Sequence, residues 1–96
     1  MEKEKKEYPA INVINAMRGF ADRNLPHKIT PYRMKMPDGT VHTIKEVRRM
    51  TTQTVGNYQH FHYVVQSKEQ RYFHIVFDSS VLTWRFVQEI DEQLFF

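Results

Sequence analysis

The chain has 96 residues and no cysteine. Disulfides, thiolate metal sites and cysteine nucleophiles are therefore excluded. Glycine is scarce, and Gly19, Gly39 and Gly56 stand too far apart to form a phosphate-cradling loop. No apolar run approaches the roughly 20 residues that span a bilayer. No apolar segment follows the charged stretch Met1 to Glu7, so no secretory signal is expected and the expected location is cytoplasmic. Ser67, Ser79 and Ser80 fall in turn-like segments, and none sits in a nucleophile elbow. The acids lie mainly at the termini and in turns, Asp38 of Pro37-Asp38-Gly39 among them, so no acid–base pair gathers for catalysis. These absences argue against an enzyme and imply no cofactor.

What is present suits a globular fold. Hydrophobic residues make up 41% and charged residues 26%, which is ordinary for one packed domain. Residues 1–8 read as a flexible lead-in and residues 9–96 as a single α+β domain. The net charge of +3 is unevenly spread. Nine Lys/Arg stand against three Asp/Glu from Arg23 to Arg71, and one Arg against four acids from Tyr72 to Phe96. A basic middle of this kind can steer an anionic partner, or meet the acidic end of a second copy.

The first element reads as a helix. Pro9 suits a first turn, and Ala10, Val13, Ile14, Met17, Phe20 and Ala21 recur at spacings of three and four. Gly19 weakens that helix, Asn24 is a plausible stop, and Pro26 prevents continuation.

After Pro26 the period changes to two. Tyr32, Met34 and Met36 alternate with Arg33 and Lys35 as a strand, and Pro37-Asp38-Gly39-Thr40 is a turn. Val41 resumes a second strand, whose alternation slips near Ile44 to Val47, as at a bulge. Gly56-Asn57 is a two-residue hairpin signal that places Val55 opposite Tyr58. In that register Met50 faces Tyr63, Thr52 faces Phe61 and Arg48 faces Val65. On the other face Thr51 meets His62 and Gln53 meets His60. The third strand is Tyr58 to Gln66 and the fourth is Arg71 to Asp78. Phe61, Tyr63 and Val65 share a face with Phe73, Ile75 and Phe77 only if the intervening loop has an odd number of residues, so an odd loop is predicted. Val81 to Ile90 is the fifth strand, with Leu82, Trp84 and Phe86 on one face. The expected core is Val13, Met17, Phe20, Met34, Phe61, Tyr63, Phe73, Ile75, Leu82, Trp84 and Phe86.

Three histidines draw attention. His60 and His62 share one strand face, and an even register adds His74 from the next strand. Imidazoles placed in this way are candidate metal ligands, although such a site needs a third or fourth donor and supporting contacts. The same face carries cations and rings. Arg48, Arg49, His60, His62, Tyr72 and His74 form a candidate nucleic-acid surface, with cations for phosphates and rings for bases. The apolar end Leu94, Phe95 and Phe96 is a candidate interface for docking on the body or on a second copy. Pro37-Asp38-Gly39 early and Trp84 late give a strand layout that resembles small bacterial SH3-like or split-barrel domains. The likeness is one of layout and implies a bent sheet, with no activity or residues transferred.

The resulting expectation is α+β: one N-terminal helix followed by a strongly bent antiparallel sheet, or small partly open barrel, of about five strands. The expected function is a non-enzymatic binding or assembly module acting through protein–protein contact or self-association. Nucleic-acid binding is the alternative, followed by a small enzyme or metal-binding protein.

Overall fold

The computed structural model describes residues 8–18 and 28–91. These residues form an all-β fold: β1 Ala10–Arg18, β2 Lys28–Lys35, β3 Val41–Val55, β4 Tyr58–Ser67, β5 Tyr72–Asp78 and β6 Thr83–Ile90. Each strand pairs antiparallel with its sequence neighbour, and β1 returns to β6 to close a six-stranded barrel. The architecture is a small antiparallel β-barrel, compatible with an SH3-like barrel.

The helix expected from Pro9 to Asn24 is overturned by β1. Its sequence, AINVINAMR, satisfies both periods. The helical stripe passed over Ile11, which is the most buried β1 residue, at 8% exposed. Ile11, Val13 and Asn15 point inward at a spacing of two, whereas Ile14 and Met17 are exposed. β-Branched Ile11, Val13 and Ile14 favour extended backbone, and the asparagines give a helix little support. Phe20, Gly19, Asn24 and Pro26 lie outside the described residues, as do Leu94, Phe95 and Phe96.

The five expected strands are all present. The β3–β4 ladder pairs Val55 with Tyr58, Gln53 with His60, Thr51 with His62 and Met50 with Tyr63, as the hairpin signal required. Gly56 has φ +61°, which the first position of this turn demands. Ser67 N–H donates to the Arg71 carbonyl at 2.8 Å, so the loop between these facing residues is Lys68-Glu69-Gln70, an odd length. It pairs Phe61 with Phe77, Tyr63 with Ile75 and Val65 with Phe73. Gln70 takes φ +68° in the position that such three-residue hairpins usually give to glycine.

Register shifts leave Tyr32, Lys45, Arg48 and Val87 without a ladder partner. Bulges of this kind bend and twist a strand, which lets a short meander curl shut. The shift at Arg48 corrects the expected Arg48–Val65 pair: Val47 faces Val65 instead, and Arg48 is released to the outer face. One extra residue thus keeps the valine on the core side and the guanidinium outside.

The core contains Met34, Tyr63, Val65, Phe73, Ile75, Phe77 and Trp84, with Val13, Ile29, Val47, Phe61 and Phe86 packed against it. Burial of each such side chain contributes roughly 1.5–3 kcal/mol. Leu82, expected inside, is 71% exposed, because it sits in the β5–β6 turn at φ +53°. Two seams have short ladders. β2 and β3 share three pairs, and β1 and β6 share Ala10–Arg85 and Ile11–Trp84. Core aromatics bridge across both regions. The Tyr63 hydroxyl donates to the Ile29 carbonyl at 2.6 Å, and Trp84 Nε1 donates to Asn15 Oδ1 at 3.1 Å.

Candidate functional site

Because core side chains fill the odd positions of β4 and β5, the even positions form the outer face. That parity brings His60, His62, Tyr72 and His74 together beside Arg48, Arg49 and Gln53 of β3. Among the described residues no helix lies on this face, yet Gln66, Tyr72 and Val76 are buried there and His60, His62 and His74 are half-buried.

Most of their polar groups are engaged with one another. His62 Nε2 lies 3.0 Å from Gln53 Oε1, and His62 Nδ1 lies 2.9 Å from His74 Nε2. The amide oxygen of Gln53 accepts, so His62 Nε2 carries a proton. In a neutral ring, His62 Nδ1 then accepts and His74 Nε2 donates. Burial holds both imidazoles below the ordinary histidine value; the proximity of His60 adds to this at His62, and that of His62 adds at His74. His60 Nε2 lies 3.4 Å from Asp78 Oδ2 on the next rung. The Asp78 carboxyl is held below its usual range chiefly by the hydrogen bond from the Ser80 hydroxyl.

Tyr72 is buried, and the Arg48 guanidinium lies 5.8 Å from its ring centroid while donating to Gln66 Oε1 at 3.4 Å. The ring face toward Arg48 is therefore taken. Arg49 is exposed. The histidines do not converge as a metal cage: among the described residues, no group of three or more His, Cys, Asp or Glu could hold an ion.

The same hairpin extends outward as an arm. Every residue from Arg49 to Gln59 is exposed, including Met50, Val55 and Tyr58. From Ile44 to Val55 every ladder partner of β3 among the described residues lies in β4. A two-residue hairpin makes Val55–Tyr58 a hydrogen-bonded pair. Alternation then turns the N–H and C=O groups of Met50, Thr52 and Thr54 away from β4, toward the open edge.

A second constellation escaped the sequence reading. His42 faces inward opposite Met34, with its side chain 5% exposed and its ring centroid 4.8 Å from that of Phe73. Its Nδ1 lies 3.2 Å from Glu69 Oε1, and this contact is the leading cause of the lowered Glu69 pKa. Arg71 holds Glu89 through two contacts of 2.9 Å, and its guanidinium lies 5.3 Å from the centroid of Phe73. The signal for His42 was present in the Pro37–Thr40 turn, whose register pairs Lys35 with Val41 and so sends His42 to the Met34 side. Glu69 arrives from a hairpin 27 residues away, and no local pattern reports it.

Comparison with protein-family models, with curated proteins and with solved structures yields no match. Among the described residues no helix is long and apolar enough to cross a membrane.

Proposed function

We propose that the chain is a non-enzymatic assembly module that pairs with a second copy of itself along the open edge of β3. The observation that carries this is the β3 arm, whose outer half has ladder partners on one side only among the described residues. An edge of this kind is a template for another strand.

Two features favour a second copy as the occupant. Thr51 to Gln59 carries no charge in a chain that is 26% charged, so two antiparallel copies meet there without like-charge repulsion. The exposed Met50, Val55 and Tyr58 supply apolar contact beside the strand. A two-fold pairing of the same edge is also the commonest closed symmetry. A cytoplasmic location belongs to the same proposal. Nucleic-acid binding through Arg48, Arg49, His60, His62, Tyr72 and His74 is less well supported, because Arg48 and the rings of His62, Tyr72 and His74 are engaged with one another or with Gln53 and Gln66.

Sedimentation equilibrium of the full chain over a wide concentration range tests this. The mass should rise from monomer to dimer. Thr52→Pro removes an edge N–H without removing a bond to β4, and should hold the chain monomeric. Thr54→Lys adds a charge to the arm and should weaken the dimer with less effect on the backbone. A wild-type monomer at every concentration, or a dimer unaffected by both variants, would overturn the proposal.

A further inference from the structure

The end of the barrel between the β2–β3 turn, the β4–β5 loop and β6 opens into a recess of about 310 Å³. Its apolar lining includes Met36, Phe73 and Phe86, and its polar lining includes Asp38, His42, Arg71 and Glu89. His42 is the most informative of these. Glu69 is ionised at neutral pH and can only accept, so His42 Nδ1 carries the proton and a neutral ring presents the Nε2 lone pair. Nε2 makes no hydrogen bond to the described residues. Yet none of their buried side-chain nitrogens or oxygens lacks a partner, so Nε2 reaches the recess rather than being sealed in protein.

The walls select the sign of a ligand. Arg71 also lines the recess, with Nε and Nη2 bound to Glu89, so that pair is balanced in charge and Asp38 and Glu69 supply the remaining negative charge. Asp38 is held ionised, chiefly by the Thr40 hydroxyl, and that hydroxyl and the Thr40 N–H both use Oδ1. Oδ2 remains. Glu69 adds a further negative charge behind His42. An entering group therefore meets the open ring nitrogen of His42, which accepts while the ring is neutral, a carboxylate oxygen of Asp38 that accepts, and the apolar lining.

We infer that this recess is a binding site for a primary ammonium group carried on a short hydrocarbon. The ammonium has three donors and no acceptor, which suits His42 Nε2 and Asp38 Oδ2. The hydrocarbon lies on Met36 and Phe86. A free alkylamine and a lysine side chain share this chemistry.

Backbone amide NMR of the full chain, titrated with n-butylammonium, tests the site. Butanol and butyrate serve as neutral and anionic controls, and N-acetyl-lysine-methylamide as the side-chain probe. So small a ligand should bind with a dissociation constant on the order of millimolar. The shifts should centre on His42, Phe73, Phe86 and the Pro37–Thr40 turn. Asp38→Asn keeps the oxygen that caps Thr40 and removes only the charge, so it should fold normally and weaken binding about tenfold. Butylammonium without the blocked lysine would identify a free amine as the ligand, and the blocked lysine alone would identify a side chain; either supports the site. No shift with either cation, an equal response to butanol or butyrate, or unchanged binding in Asp38→Asn would overturn it.

Discussion

His42 and the His62–His74 pair lie on opposite faces of the barrel wall, and their partners differ in kind. His42 is nearly sealed, yet it has a carboxylate at Nδ1. A carboxylate accepts from a neutral or a charged imidazole alike. His62 and His74 are less deeply placed, but each has the other imidazole as a partner. That bond is satisfied only while at least one facing nitrogen keeps its lone pair. The comparison teaches that burial lowers the outer pair, and that a shared imidazole–imidazole bond adds a reason for it to resist a second proton.

The largest expected effect comes from erasing the inner site. His42→Ala removes a ring packed on Phe73 and leaves a cavity, so it should lower unfolding free energy by about 2–4 kcal/mol in urea titration. His74→Ala on the outer face leaves His62 open to water and should cost less, about 1 kcal/mol or under. Equal losses would break the comparison.

Acid should act on the outer pair next. The folded His62 and His74 have lowered pKa values, so the unfolded chain binds protons first as pH falls. Their contribution is complete above about 6.5, the unfolded value, and is lost as pH falls from there through the lowered folded values. His60 and Asp78 face the same patch. The lowered carboxylates Asp38, Glu69, Asp78 and Glu89 contribute stability above their unfolded values near 4 and lose it below, so they act in a lower window. Thermal midpoints should therefore drop between about pH 7 and 5, and the double variant His62→Asn with His74→Asn should flatten that segment. An unchanged slope in the double variant would show that other groups control it.

The smallest effect is expected at Glu69. The amide oxygen of Glu69→Gln accepts the same Nδ1–H, so the neutral His42 ring should keep its tautomer. Ring nitrogen shifts by NMR read this directly. A switch to the other tautomer would show that the charge, rather than the acceptor, fixes the ring.

Legibility followed the turns. Gly56-Asn57 fixed one hairpin, and the apolar sets of β4 and β5 fixed the next by parity, so the outer histidine face could be read from residues alone. The slip in alternation near Ile44 to Val47 marked the shift between Ile44 and Glu46, but the second shift, at Arg48, lay just past it without a signature of its own and defeated the register there. The helix error arose where Ala10 to Met17 fits both periods and only barrel closure chooses between them. The His42 site was hidden for a different reason: its parts come from β3, the β4–β5 loop and β6, and only tertiary register unites them.

The thin seam between β1 and β6 has a kinetic consequence. From His60 to Gln66, β4 is flanked by ladders on both sides, so its amide protons there should exchange with solvent only when the whole barrel unfolds. β1 and the two residues before it meet β6 through two paired positions, the bonds from Phe86 N–H to the Pro9 carbonyl and from the Arg85 guanidinium to the Tyr8 carbonyl, and the Trp84–Asn15 contact. Breaking those few bonds frees that seam without disturbing β4 and β5. The slowest and fastest protected amides should thus lie on different strands of one closed wall, the barrel ring opening far more often than its sheet melts.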